Sequence, residues 1–204
     1  MSAVKKIAVI LAALTFACTA RAQAENVKPE RIRGDIVSFQ GDVLTVHRRS
    51  GDVVSIDLKP NVGVTALKPI ALSDIKAGSY VGAQATAGEG GKMTAASVLV
   101  FPDAARGTEE GHFTYDFGAN SSMTNANVDT VVVGSSGREL KLSYKGGTNM
   151  VTVPDNAPVV TFAPATRADL LTGKKILAVV TPAQNGTFEA RVVLVEKDGV
   201  VPPM

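Results

Sequence analysis

Residues 36–58 read IVSFQGDVLTVHRRSGDVVSIDL, and apolar and polar side chains alternate through most of that stretch. Leu44 and Val46 alternate with Thr45 and His47, and Val54, Ile56 and Leu58 alternate with Ser55 and Asp57. A period of two is the signature of a strand with one face buried and one face wet. Gly41-Asp42 and Ser50-Gly51-Asp52 interrupt the pattern with residues suited to tight turns. The stretch therefore predicts three strands, at 36–39, 43–48 and 53–58.

Working outward, a short extended piece is expected around Val64, followed by one helical turn over Leu72–Gly78. Ser73 is its expected N-cap and Gly78 its stop. Two further strands, Tyr80–Ala87 and Met93–Phe101, flank a Gly-rich turn. Three strands, a helical turn and two strands in so short a stretch are the element order of an OB-like small barrel. An SH3-like barrel and an open sandwich share that strand content. Closure suits a small domain without disulfides, because it raises apolar burial and removes free strand edges.

The pattern then repeats. A shift of 95 residues aligns 54–100 with 149–195 without a gap, and 12 of the 47 positions are identical, from Asn61/Asn156 to Val100/Val195. Ile56/Val151, Leu67/Phe162 and Val81/Ile176 stay apolar, and Gly41-Asp42-Val43-Leu44 matches Gly137-Arg138-Glu139-Leu140 after a one-residue insertion. So long a period is a whole domain rather than a solenoid unit. Ile56 with Val151, and Leu99 with Leu194, are expected to be equivalent core positions. Asn185-Gly186 in the second copy is a strong hairpin signal. The expected organisation is all-β, with a first OB-like domain at 25–102, an ordered, aromatic-containing linker at 103–127 and a second OB-like domain at 128–204.

Ahead of the first strand lies an export leader. Lys5 and Lys6 precede the apolar run Ile7–Ala17, and small residues follow at Ala20, Ala22 and Ala24, which predicts cleavage near Ala24. The run is too short to span a bilayer, and no later segment approaches the required length. Cys18, the only cysteine, lacks the upstream Leu-like residue of a lipid-anchor signal, so cleavage without lipidation is expected. Removal of 1–24 takes away Lys5, Lys6 and Arg21, leaving 18 basic against 19 acidic residues. That near-neutral balance argues against a nucleic-acid partner, which needs clustered, uncompensated cations. It leaves an envelope protein or a small ligand as the expected partner.

Arg31-Ile32-Arg33-Gly34-Asp35-Ile36-Val37, Ser73-Asp74-Ile75-Lys76-Ala77-Gly78 and the stretch from Arg106-Gly107-Thr108 to Met123-Thr124-Asn125-Ala126 occur here in that order. Together they resemble exported bacterial proteins carrying the domain of unknown function DUF5666. The resemblance implies a periplasmic location and small β-barrels, and it brings no catalytic or ligand residues with it. Some relatives are labelled in connection with metal transport, which implies a metal-binding accessory protein as the alternative function. Where that family often has a Trp before the Asp of its Gly-His-x-x-aromatic-Asp stretch, this chain has Tyr115.

Catalytic chemistry finds little support. The mature chain offers only His47 and His112 as imidazole bases, with no Gly-x-Ser-x-Gly elbow, phosphate-cradling loop or His-Glu-x-x-His. Arg31, Arg33, Arg48 and Arg49 could form a basic patch, but Phe39 is the one aromatic near them in sequence, too few for base stacking. The expectation is a non-enzymatic binding module without a resident cofactor. The segment from Phe101 to Asn127 has no period of two, yet it holds Phe101, Phe113, Tyr115 and Phe117, four of the ten aromatics. Aromatics are scarce in disordered linkers, so order is expected here, with Phe113, Tyr115, Phe117 and Met123 forming a buried interface. Glu109, Glu110, His112 and Asp116 are the candidate ligands for a divalent metal, with Met123 as a soft extra.

Overall fold

A computed structural model describes residues 28–135, 137–183 and 186–203. The expected leader at 1–24 with its expected cleavage site and Cys18, and Asn185 of the Asn-Gly turn, lie outside the described residues. The fold is all-β: β1 (Glu30–Gln40), β2 (Val43–Arg48), β3 (Val53–Asp57), β4 (Val64–Pro69), β5 (Tyr80–Ala87), β6 (Met93–Val100), β7 (Gly111–Thr114), β8 (Ser121–Gly134), β9 (Gly137–Tyr144), β10 (Gly147–Pro154), β11 (Val159–Pro164), β12 (Lys175–Pro182) and β13 (Phe188–Val195). β4, β5 and β6 recur as β11, β12 and β13 at the shift of 95. Each helical turn is a single 3-10 turn, Leu72–Asp74 and Arg167–Asp169. The turn is held by Asp74 rather than Ser73: Ala71 N–H donates to Asp74 Oδ2 at 3.0 Å, as Thr166 N–H does to Asp169 Oδ2 at 2.8 Å.

The strands close into rings that mix the two copies. β1, β2 and β3 form an antiparallel meander, β1 then pairs antiparallel with β12, β12 with β13, and β13 lies parallel to β3. That circuit is a closed five-stranded barrel built from the first three strands of copy one and the last two of copy two. The reciprocal circuit runs β8, β9, β10, β6, β5 and back to β8. The boundary between repeats is therefore not a boundary between barrels. One interior joins Ile32, Ile36, Leu44, Val46 and Ile56 to Ile176, Val180 and Val193; the other joins Val81, Ala83 and Val98 to Leu140, Leu142 and Val151. All these side chains are essentially removed from water.

β4 and β11 carry the chain from one barrel to the other and pair with each other antiparallel. In that ladder Leu67 lies opposite Phe162, its own repeat equivalent, so a local two-fold axis passes between them. Polar contacts reinforce the exchange. From the second copy's 3-10 turn, Arg167 donates to Leu58 O at 2.7 Å and Lys59 O at 2.6 Å and pairs with Asp42, all three in copy one. Lys59 pairs with Glu189 at 2.8 Å and Lys175 with Asp35 at 2.7 Å, again across the copies.

Two expectations need correction. The linker is ordered, but it contains β7, and residues 121–127 are the first half of β8. Ser121, Ser122, Thr124, Asn125 and Ala126 are all buried, on both faces of the strand, so no alternation could mark it. Leu99 and Leu194 are half-buried and are not barrel-core residues. Their neighbours Val98 and Val193 point into the interiors, which turns each Leu outward on the pleat.

Candidate functional site

The outward faces of the two barrels do not close completely on each other. Between them lies a cavity of about 330 Å³, lined from both sides of the local two-fold by β5, β6 and β8 and by β12 and β13, with Leu67, Val160 and Phe162 from the connecting pair. Phe101, Thr108, Glu109 and Tyr115 of the linker and Pro203 near the chain end complete the wall. Repeat-equivalent wall positions differ in chemistry. Gly82, Gln84 and Ser97 on one side correspond to Leu177, Val179 and Val192 on the other, whereas Leu99 and Leu194 match. The symmetric scaffold thus encloses an asymmetric space with one polar and one apolar wall.

The polar wall is organised by neutral groups. Gln84, 2% exposed, accepts a hydrogen bond from Ser97 Oγ at 3.3 Å. Asn125, 5% exposed, spends its amide N–H groups on Thr108 O at 3.3 Å and Glu109 O at 3.2 Å, which ties the linker to β8. Gly82 makes this packing feasible, because a Cβ there would stand 2.8 Å from Asn125 Oδ1 and 3.2 Å from the Phe101 ring. Phe101 in turn bridges Tyr80 and Phe162, with ring centroids 5.3 and 5.8 Å away, in tilted and edge-on arrangements favoured by ring quadrupoles. The Tyr80 hydroxyl donates to Thr108 O at 3.0 Å.

Beside the cavity opens a cleft of about 470 Å³ lined by Arg31, Arg33, Arg48 and Arg49 with Ser50, Asp116, Phe117 and Gly118. The four arginines of the candidate basic patch are thus brought together by the β1–β2 hairpin. Arg33, 7% exposed, is fully engaged: its guanidinium holds both oxygens of Asp116 at 2.6 and 3.0 Å and donates to Pro203 O at 3.0 Å. Tyr115 lies against two cations, its ring centroid 5.0 Å from Arg31 and 5.4 Å from Arg33. Burial pushes the Asp116 carboxyl up, but the hydrogen bonds and charge of Arg33 outweigh it and hold the group below its ordinary value of 3.8.

A depressed folded-state pKa contributes stability that is complete above the unfolded value and is lost as pH falls through the folded one. Asp116→Asn should therefore destabilise the protein at neutral pH. A loss on the order of 1 kcal/mol is expected, reduced from that of a fully buried pair because the carboxylate is half exposed. The gap between variant and wild type should close as pH falls below about 4 in urea titrations. A gap that persists unchanged into acid would show that the Arg33 pair is not its source.

The candidate metal ligands are not drawn together. Glu109 pairs with Arg31 at 3.5 Å, Glu110 accepts from Lys145 N–H at 2.9 Å, and Asp116 is held by Arg33. His112 Nδ1 accepts from Asn149 Nδ2 at 2.9 Å and lies 2.8 Å from Thr124 Oγ1, with Tyr144 stacked on its ring. Among the described residues no group of three His, Cys, Asp or Glu side chains could hold a metal ion. Thr124 beside His112 is fully buried, so its hydroxyl is beyond the reach of a substrate. Of the expected interface residues, Tyr115 is buried, Phe113 is half-buried and Met123 lines the cavity. Phe117 departs from expectation: it is 38% exposed and sits in the arginine cleft. It lies beyond the end of β7, where no ladder neighbour covers it.

Sequence reasoning missed Gln84 and Leu177–Val179 as wall residues. The one available signal was the unbroken apolar runs Ile176–Val180 and Val192–Val195, in which the face turned away from the barrel interior is apolar too. No protein-family model, curated protein or solved structure matches the chain.

Proposed function

We propose that the protein is an exported, non-catalytic binding module that holds a small, largely apolar molecule in the cavity between its barrels. The observation that carries this reading is the cavity itself. Its volume of about 330 Å³ falls in the range of small-molecule sites, and its lining matches them too: mostly apolar, with a few polar groups at fixed points. The leader expected at 1–24 supports export. Among the described residues no helix is long and apolar enough to cross a membrane. OB-like barrels are supported by the ring order, first-second-third-fifth-fourth strand, with the third and fifth parallel.

An uncharged naphthylamine dye that fluoresces in apolar surroundings tests the reading. It should bind saturably to the wild type. Val179→Trp, which fills the cavity from β12, should weaken binding at least about tenfold while far-UV circular dichroism stays unchanged. Equal dye affinity in wild type and variant would place the dye elsewhere and defeat the reading.

A further inference from the structure

Arg31 belongs to the walls of both the inter-barrel cavity and the arginine cleft. The Tyr115 ring, which lines the cavity, lies against both Arg31 and Arg33, and Arg33 lines the cleft. On that ground, and resting on the cavity reading above, we propose that the ligand is an amphipathic anion. Its apolar chain occupies the cavity, and a carboxylate or phosphate head is received by Arg31 and the cleft beside it.

Charge bookkeeping along this boundary favours a negative head over a neutral or positive one. The deep polar wall is uncharged, being Gln84, Ser97 and Asn125, so nothing inside neutralises an ion. The ionisable groups of the cavity wall are Arg31 and Arg191 against Glu109. Arg191 is exposed and has no ion pair among the described residues. Glu109 is 60% exposed and meets Arg31 at 3.5 Å, a surface pair weak enough for a better-placed anion to displace. In the cleft, Asp116 is committed to Arg33, Arg48 has only the half-exposed Asp52 at 3.6 Å, and Arg49 has no ion pair among the described residues. Guanidinium forks pair bidentately with two oxygens of a carboxylate or a phosphate, and Arg31 is held in place by its stack on Tyr115.

Displacement of the neutral dye tests this with five competitors: dodecanoate and dodecyl phosphate below their micelle concentrations, dodecanol below its solubility limit, acetate and inorganic phosphate. In wild type, at least one twelve-carbon anion should displace the dye at a concentration about tenfold lower than dodecanol. Acetate and inorganic phosphate should not displace it. Whichever of dodecanoate and dodecyl phosphate is stronger identifies the head. Arg31→Gln should collapse the ratio of dodecanol to anion concentrations toward one. Should that variant fold poorly, the same ratio in wild type should fall when salt rises from about 0.02 to 0.5 M, since screening weakens the head contact and spares the chain. Equal potency of dodecanol and both anions in wild type overturns the anionic head and leaves the cavity reading standing. A ratio unmoved by Arg31→Gln or by salt overturns it equally. If the dye itself finds no saturable site, the cavity reading falls, and this inference with it.

Discussion

Ile56→Ala is expected to cost the protein about 2–5 kcal/mol, because it deletes most of a side chain with no exposure to water and leaves a void in a closed barrel. Val151→Ala, at the equivalent place in the other barrel, should lose somewhat less, having fewer carbons to remove. Leu171, 57% exposed, should tolerate the same truncation within about half a kcal/mol. Leu194→Ala is the informative intermediate. Its side chain faces a space that is already open, so the change enlarges a cavity rather than creating one, and the loss should fall below that of Ile56→Ala. Urea unfolding of the four variants checks the order. A Leu194 loss as large as that of Ile56 would put Leu194 inside a barrel and undo the assigned strand faces.

The second large effect follows from the exchange of strands. Asp35 and Lys175 are Cα partners in the β1–β12 ladder although 140 residues separate them along the chain. Directly opposed antiparallel residues have Cα separations of about 4.5–5.5 Å, within the range a disulfide spans. With Cys18 replaced by Ser, Asp35→Cys combined with Lys175→Cys should oxidise readily and run faster on a non-reducing gel. Closing so long a loop should stabilise the protein by up to about 4–5 kcal/mol, with strain lowering the figure. If each copy instead closed its own barrel, residue 35 would face Tyr80, the repeat equivalent of Lys175. Asp35→Cys with Tyr80→Cys would then cross-link in its place.

Those two experiments separate what was legible in the residues from what was not. The strands Val43–Arg48 and Tyr80–Ala87 were readable to the residue, because a period of two bounded by Gly-containing turns is a local property that each stretch carries by itself. The repeat was readable as well, since equivalent core positions must keep apolar character in both copies. β7 and the first half of β8 were not. Ser121, Ser122, Thr124 and Asn125 are polar yet buried on both faces of the strand, and that burial exists only once linker, barrel and second copy have assembled around them.

Which strands close which barrel was beyond any local signal, because the repeat that reveals the architecture also hides the exchange. Ile56 packs in a ring with Val193, and its repeat equivalent Val151 with Val98; swapping Val193 for Val98 would bury the same type of side chain at the same place. Local pattern energies are therefore nearly equal for contiguous and exchanged barrels. The tertiary structure decides between them through β4 and β11, which stay extended, pair with each other at Leu67 and Phe162, and so deliver the last two strands of each copy to the opposite ring. The cavity is a consequence of that choice. Its walls come from faces that meet only when the two-fold is formed, and its polarity is set by pairs such as Gln84 and Val179 where the copies have diverged. Sequence alone thus determined most of the strands, the turns that bound them and their duplication, which rest on interactions between near neighbours. The exchange, the cavity and the arginine cleft at its edge rest on contacts between residues up to about 170 positions apart, such as Arg33 with Pro203, and only the folded chain brings those together.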